Sequence, residues 1–128
     1  MKKIEVVAAV LKYEDTYFCA QRKDKGPLAM KWEFPGGKIE KGETKEEALI
    51  RELKEELLLD ITIDKFIMTI EHQYETFHLT MHAYLCHGDI NDIKLIEHLN
   101  SKWLDKNKLK NLDWAEADIP IVKRLVGE

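Results

Sequence analysis

Hydrophobic residues recur along the chain in runs with the two-residue period of β-strands and in two stretches with the period of an α-helix. The β-branched run at residues 4–11 predicts a buried strand, and residues 16–22 return as the second strand of a hairpin that turns at residues 14–15. Residues 61–74 alternate imperfectly and residues 77–85 alternate cleanly, so these two runs predict a second hairpin.

The alternation in the third run slips near Asp64 and Lys65. Beyond the slip, Phe66, Met68 and Ile70 are expected on one face of the strand, because alternate side chains of a strand share a face. Shorter segments predict smaller elements, namely an extended piece at 32–35, strand pieces at 93–96 and 101–104, and a helical turn at 105–109.

The first helical stretch follows a glycine-rich loop. Thr44 can cap the first turn, and Glu47, three residues later, completes a capping box. From there to residue 57 the chain contains mostly good helix formers, without Gly or Pro. The apolar stripe expected to face the core consists of Leu49, Ile50, Leu53 and Leu57. A last helix is predicted from Asp118 onward, with an inner stripe of Ile121, Val122, Leu125 and Val126.

Strands, a helix, strands and a helix follow one another, which predicts an α+β fold: a mixed β-sheet flanked by helices in an α/β/α sandwich. The 128 residues suggest one domain, 1–128. The hydrophobic content of 45% and charged content of 34% are typical of a soluble globular protein. We expect no membrane span, since no stretch approaches ~20 apolar residues. The short N-terminal apolar run contains Glu5, so we expect no secretory signal.

The formal net charge of -4 provides no basic surplus, so we expect no binding to duplex nucleic acid. Cys19 and Cys86 lie far apart and form no CxxC motif. We therefore expect reduced, buried thiols in a cytoplasmic protein.

Three acids stand together on the first predicted helix. Glu52, Glu55 and Glu56 are spaced i, i+3 and i+4, so they share one face. Like charges at this spacing repel by roughly 0.2–0.5 kcal/mol per pair on an exposed helix. Converging carboxylates suit a hard divalent cation, which takes oxygen ligands. The alternative is an ordinary acidic outer face, since charge runs on helices usually face solvent.

The spacing of this region resembles the signature of the Nudix hydrolases. Gly37, five residues, Glu43, seven residues, Arg51-Glu52-Leu53, one residue and Glu55-Glu56 match that signature. The resemblance implies the Nudix fold and hydrolysis of a nucleoside diphosphate linked to another group. One position departs, because Leu58 stands where the family usually has the glycine that ends the helix. A left-handed cap costs a non-glycine residue roughly 1–2 kcal/mol.

The resemblance also implies the roles of the site residues. The metal ligands for Mg²⁺ or Mn²⁺ would be the Gly36 carbonyl and the acids Glu52, Glu55, Glu56 and Glu97. The general base would be Glu52 or Glu97, and both remain open. Arg51 would orient the acidic cluster, and Glu43 would pair within the loop.

Beyond the signature, the chain is most similar to the MutT-like branch, through residues 32–40 and through Glu97 with Trp103 six residues later. Arg22 and Lys38 match positions that contact substrate phosphates, although either could be a solvated surface charge. Phe34 would stack on the base, or pack in the core. Asp118 occupies the place of an asparagine that contacts the base, and its alternative is a helix N-cap.

The predicted function is hydrolysis of nucleoside triphosphates to monophosphate and pyrophosphate, with oxidised purine (8-oxo-dGTP) or cytidine nucleotides as substrates. The alternatives are a Nudix hydrolase of dinucleoside polyphosphates or ADP-ribose, a catalytically silent nucleotide-binding module, and a structural domain with an acidic helix. The expected partner is a nucleotide, and the expected state is a monomer or homodimer.

Overall fold

The structure is a computed structural model that describes residues 2–127. Its strands are β1 Lys2–Tyr13, β2 Thr16–Gln21, β3 Trp32–Glu33, β4 Gly36–Lys38, β5 Thr62–Gln73, β6 Phe77–His87 and β7 Asn100–Asp105. Its helices are α1 Lys45–Leu57 and α2 Ile119–Val126. Three short 3₁₀ turns lie at Ile90–Asp92, Leu109–Asn111 and Glu116–Asp118.

Strand β1 is the centre of a mixed sheet. It pairs in parallel with β6 and antiparallel with β2 and β4. Strand β5 continues the sheet beyond β6, and β3 and β7 both pair with β2. The two predicted hairpins, β1–β2 and β5–β6, are confirmed. Because β4 and β6 share β1 as a neighbour, the glycine-rich segment lies beside the middle of the sheet.

The alternation of β1 separates two apolar cores. Val7, Ala9 and Leu11 pack in the cluster that contains the buried face of α1. Ala8 and Val10 point the other way, into the cluster that contains the buried face of α2. The two helices therefore cover opposite faces of one sheet, which confirms the predicted α/β/α sandwich. No helix within residues 2–127 is long and apolar enough to cross a membrane.

Helix α1 begins with the predicted capping box. The Glu47 amide donates to the Thr44 hydroxyl at 3.1 Å, and the Thr44 amide donates to the Glu47 carboxylate at 2.8 Å. Leu49, Leu53 and Leu57 are buried, but the expectation for Ile50 is wrong, since 45% of this residue is exposed. One residue turns a helix by about 100°, so Ile50 lies beyond the edge of the buried stripe.

Helix α1 ends in a left-handed residue that is not glycine. Leu58 has φ 53° and ψ 32°. The Leu58 amide donates to the Lys54 carbonyl at 3.0 Å, and the Leu59 amide donates to the Leu53 carbonyl at 3.3 Å. The first bond is the one that defines the αL cap motif, the second closes the turn further, and Leu59 is fully buried beneath it. The chain thus keeps the helix end that a glycine would favour.

Two expectations about strands need correction. The slip near Asp64 is present, but a second register shift follows between Phe66 and Met68. This bulge places Phe66 on the opposite face from Ile70, where its ring contacts the edge of Tyr84. Residues 93–96 form no strand; they are a loop that follows the 3₁₀ turn Ile90–Asp92. The helical turn predicted at 105–109 is found later, at Leu109–Asn111.

Candidate active site

The acidic face of α1 lies against the glycine-rich strand β4, and Glu56 is its most buried carboxylate. Only 6% of Glu56 is exposed, and one carboxylate oxygen accepts a 3.1 Å hydrogen bond from the Gly36 amide. Burial, followed by the negative charges of Glu33, Glu52 and Glu97, raises the pKa of Glu56 to about 9. Without a nearby cation, Glu56 therefore keeps its proton at neutral pH.

Glu52 stands one turn earlier and packs against Gly37. A Cβ atom at Gly37 would overlap the Glu52 carboxylate, so the absence of a side chain there makes room for the acid. A Cβ atom at Gly36 would instead overlap the backbone of Val7 in β1. Burial raises the pKa of Glu52, and contact with Arg51 opposes that rise.

Arg51 is placed among four acidic side chains. Its Nε and Nη2 bind the two oxygens of Glu43 at 2.6 and 2.8 Å. Its Nη1 donates to Glu52 at 2.9 Å and lies 3.3 Å from Glu55, and Glu40 lies 3.4 Å away. These hydrogen bonds lower the pKa of Glu43 to about 2. The arginine thus holds the glycine-rich loop and the helix acids in one arrangement.

Glu97 lies on the loop of residues 93–99, hereafter the Glu97 loop. On one side of Glu97, the Ile96 amide donates to the Glu56 carbonyl at 3.1 Å; on the other, the Leu99 amide donates to the Gln21 carbonyl at 2.9 Å. The charge of Glu97 contributes to the raised pKa values of Glu52 and Glu56. The tertiary fold therefore brings this distant acid into the electrostatic neighbourhood of α1.

The donor chemistry of this cluster suits a hard divalent cation. It offers carboxylate oxygens whose mutual repulsion and burial are relieved by positive charge. Within residues 2–127, however, no three acidic, histidine or cysteine side chains are already grouped closely enough to hold a metal ion. Both Glu52 and Glu55 contact Arg51 instead.

A cavity of about 280 Å³ extends from this cluster to the start of α2. Glu56, Gly36 and Asp118 all line it. The predicted phosphate contacts Arg22 and Lys38 also line it. Its apolar walls include Phe34, Tyr74, Phe77, Leu79 and Met81. One cavity therefore joins the acidic cluster to the residue predicted to contact a base.

Asp118 is a buried acid at the N-cap position of α2. Its side chain makes no capping hydrogen bond, so it holds the expected position without capping the helix. Instead its Oδ1 accepts from the Phe34 amide at 3.0 Å. Burial, and then the charge of Glu33, raises the pKa of Asp118 well above its usual value. The raised pKa favours the protonated carboxyl, which can donate a hydrogen bond as well as accept one.

Phe34 serves the core and the cavity at once. Its ring stacks on Trp114, with centroids 4.7 Å apart, and only 3% of the residue is exposed. Tyr74 directly follows β5. Its ring stacks on Phe77 with centroids 4.9 Å apart, and its hydroxyl accepts a hydrogen bond from the Ala117 amide. Sequence patterns had not singled out Tyr74, because its place beside Asp118 depends on how β5 and α2 pack.

Arg22 binds a carboxylate that the sequence analysis missed. Its Nη1 donates to Glu33 at 3.0 Å, and the other oxygen of Glu33 binds His98 at 2.9 Å. Arg22, Glu33 and His98 line a second cavity of about 350 Å³ that also contains Glu56 and Glu97. Glu33 lies within the family-like segment 32–40, but His98 is 65 residues away and no local pattern links them.

Comparison with known proteins gives the family of this chain. A family model described as the NUDIX domain matches residues 6–124, and the chain belongs to that family. The predicted family and fold are therefore confirmed, and the chain is a Nudix hydrolase by descent. Hydrolases of this family generally use divalent metal cations.

Two curated relatives and one solved structure are similar to nearly the whole chain. The CTP pyrophosphohydrolase of Escherichia coli (strain K12) is 32% identical over 127 residues, covering 99% of this chain and 94% of the relative. The 8-oxo-dGTP diphosphatase of the same organism is 29% identical and covers 98% of each chain. The solved structure of MutT from methicillin-resistant Staphylococcus aureus 252 superposes with a TM-score of 0.80 at 41% identity, covering 99% and 98% of the two chains.

Proposed function

We propose that this Nudix hydrolase is a MutT-like nucleoside triphosphate pyrophosphohydrolase, which releases a nucleoside monophosphate and pyrophosphate. The observation that supports this proposal most directly is the cavity of about 280 Å³, which is lined by both Glu56 and Asp118. Such a cavity suits a molecule with an anionic, metal-binding part and a hydrogen-bonding ring. Relatives that act on CTP and on 8-oxo-dGTP point to the same reaction class.

The acidic end of the site would hold Mg²⁺ or Mn²⁺. The proposed ligands are the Gly36 carbonyl and the carboxylates of Glu52, Glu55, Glu56 and Glu97. When bound, the ion neutralises phosphate charge and lowers the pKa of a coordinated water. Arg51 orients the acids through its bonds to Glu43 and Glu52.

The proton of the attacking water would pass to Glu52 or to Glu97. Glu52 is held by Arg51 at 2.9 Å, which fixes its direction. Glu97 is carried by a loop that is bound to the Glu56 and Gln21 carbonyls on either side of it. Both carboxylates lie near Glu56, so both remain candidates for the general base.

Other residues of the cavity would bind the nucleotide itself. Arg22 and Lys38 would contact phosphate oxygens, and both line the cavity. One face of the Phe34 ring would contact the base, while the other face stacks on Trp114. Asp118 would hydrogen-bond the base edge. We propose cytidine or oxidised purine nucleotides as the substrates, in line with the two classes of relatives.

We further propose that the single domain 1–128 acts in the cytoplasm as a monomer or homodimer. The two cysteines support a reducing compartment, because both are free and buried. Burial raises the pKa of each thiol to about 12, so neither is activated for chemistry.

An activity screen tests this function. The protein is incubated with Mg²⁺ and a panel of CTP, 5-methyl-dCTP, 8-oxo-dGTP, diadenosine tetraphosphate and ADP-ribose, and the released pyrophosphate and monophosphate are quantified. We expect pyrophosphate from a cytidine or 8-oxo-purine triphosphate. Hydrolysis of only diadenosine tetraphosphate or ADP-ribose would show that nucleoside triphosphates are not the substrates. No hydrolysis at all would support a catalytically silent binding module.

Variants of α1 connect that activity to the acidic cluster. Glu56→Gln should reduce kcat by about 10²-fold or more, because it removes a proposed metal ligand that is buried in the site. Glu46→Gln is the matched control, since this exposed acid lies on the first turn of the same helix. Equal turnover by the Glu56→Gln variant and the parent would reject the assignment of the metal site.

A further inference from the structure

The carboxylate of Glu33 forms a bridge between two parts of the site that are far apart in sequence. Glu33 pairs with Ala20 of β2 through the backbone, and Arg22 follows the end of β2 directly. The backbone pairing thus brings Glu33 and Arg22 together. The second oxygen of Glu33 is occupied by His98, which arrives from the Glu97 loop.

His98 is buried where it meets this bridge. Its side chain is 4% exposed, and Glu33 is 17% exposed. His98 Nε2 lies 2.9 Å from Oε2 of Glu33, and an ionised carboxylate can only accept, so in that state Nε2 of His98 is the donor. The neighbouring residue in sequence is Glu97. The bond therefore ties the backbone that carries Glu97 to strand β3.

The same cluster contains unsatisfied nitrogens. Among the side chains of residues 2–127, Arg22 Nε and His98 Nδ1 are the two buried polar atoms that lack a hydrogen-bond partner. Buried polar groups in native proteins nearly always have partners. Both residues bind Glu33 through another nitrogen, and both line the cavity that contains Glu56 and Glu97.

Both backbone and side-chain hydrogen bonds hold the Glu97 loop in place. The Glu97 loop is bound to α1 through Ile96 and to β2 through Leu99, both by backbone amides. His98 adds a side-chain bond between those two anchors. Without it, Glu33 would be free to rotate, so Arg22 would lose its fixed partner, and Glu97 would lose the adjacent tie to β3. The position of the arginine and the position of the loop acid would then no longer be linked.

We propose that His98 is a positioning residue which, through Glu33, holds Arg22 and the Glu97 loop in one arrangement around the phosphate end of the site. This role rests on the proposed function, in which Arg22 contacts phosphate and Glu97 belongs to the metal and base machinery. It assigns to His98 no contact with the reacting atoms.

The test compares two substitutions with a matched control. His98→Leu removes the bond to Glu33 and keeps a side chain of similar bulk, and His98→Gln restores an N–H donor. His82→Leu is the control, because His82 is equally buried and binds the carboxylate of Glu5 at 2.6 Å on another part of the sheet. For each variant, kcat, KM for the preferred nucleotide and the thermal midpoint are measured.

We expect His98→Leu to lower kcat/KM about 10–100-fold, as supporting residues around metal sites commonly do. Both parameters should change: kcat because Glu97 is displaced, and KM because Arg22 is released. His98→Gln should recover most of the loss, and His82→Leu should leave kcat and KM near those of the parent. If His98→Leu is no worse than His82→Leu, or if His98→Gln gives no recovery, the positioning role is rejected.

Hydrogen exchange provides a second readout that needs no turnover. In the metal-free protein, the amides of Ile96 and Leu99 should exchange faster in His98→Leu than in the parent, and near the parent rate in His98→Gln. Unchanged exchange would overturn the proposed tie, even in an active enzyme. A parent that hydrolyses no nucleotide but shows the expected exchange would refute the proposed function and retain the tie. Should His98→Leu fail to fold, Glu33→Gln tests the same bridge, because its amide offers a single accepting oxygen, and we expect the same loss.

Discussion

At the scale of single residues, Asp118 shows how burial changes what a side chain offers. An ionised aspartate in the cavity could only accept hydrogen bonds. Burial and the nearby Glu33 raise the pKa of Asp118 well above its usual value, which favours the protonated carboxyl. One oxygen is occupied by the Phe34 amide at 3.0 Å, so in the protonated form the O–H can donate toward a ligand. In that form Asp118 offers one donor and one acceptor, as an asparagine at this position would.

This resemblance predicts the behaviour of two variants. Asp118→Asn keeps an acceptor for Phe34 and a donor for the ligand, so kcat/KM at pH 7 should stay close to that of the parent. Asp118→Ala loses both the acceptor and the donor. Its kcat/KM should fall about 2- to 10-fold through a higher KM, as expected for one neutral hydrogen bond. The measurement is steady-state kinetics on the preferred nucleotide. If the Asn variant is as impaired as the Ala variant, the active form of Asp118 is the ionised one.

At the scale of elements, α1 joins the glycine-rich loop to the acidic cluster, and its C-terminal end keeps a strained residue. Leu58 adopts φ 53°, a conformation unfavourable for a residue with a side chain, yet the amides of Leu58 and Leu59 still bond to the Lys54 and Leu53 carbonyls. The buried Leu57 and Leu59 on either side hold the chain in this turn. The missing glycine therefore changes the conformational energy of the helix end and leaves its geometry intact.

Leu58→Gly should stabilise the protein. The left-handed conformation costs a leucine roughly 1–2 kcal/mol, part of which is offset by the greater freedom of glycine in the unfolded chain. We expect a net gain of about 0.5–1 kcal/mol in the free energy of unfolding, measured by urea denaturation. Leu57→Gly is the control, because this neighbour is fully buried and helical, and its loss should cost about 3 kcal/mol or more. A decrease in stability for Leu58→Gly would show that the Leu58 side chain contributes more than its backbone strain removes.

At the scale of the whole molecule, the stacking of two helices on one sheet places acids in a poorly hydrated interior. Glu56 has its pKa raised to about 9, and the pKa values of Glu52 and Asp118 are raised as well. An unfolded Glu56 releases its proton near 4.5, so between pH 4.5 and 9 the folded state binds more protons than the unfolded state. The stability of the metal-free protein should therefore fall as the pH rises through this window.

Thermal unfolding between pH 5.5 and 8.5 in the presence of EDTA tests this dependence. The midpoint of the parent should decrease with rising pH, and Glu56→Gln should flatten the decrease because glutamine does not titrate. Glu43 does not interfere, since its pKa is lowered to about 2 and its contribution is lost only at pH values below about 4.5. An equally steep decrease in the Glu56→Gln variant would assign the effect to other buried groups.

Much of the architecture follows from the sequence because its causes are local. The alternation of residues 77–85 specifies the two faces of β6, and the Thr44–Glu47 capping box specifies where α1 begins. The glycine and acid spacing of residues 36–56 identified the family, and that identification is confirmed. These features depend on residues a few positions apart, whose geometry is fixed by strand and helix periods.

The arrangement of the site was decided by tertiary structure. The bulge that turns Phe66 outward depends on the pairing of β5 with β6, and the Glu97 loop takes its place from backbone bonds to α1 and β2. The Arg22–Glu33–His98 bridge spans 65 residues between Glu33 and His98, and the raised pKa of Asp118 arises from burial. Sequence determined which residue types this protein has available and on which elements they lie. Only packing decided their neighbours and their hydration, because contacts and desolvation depend on three-dimensional distance rather than on position in the chain.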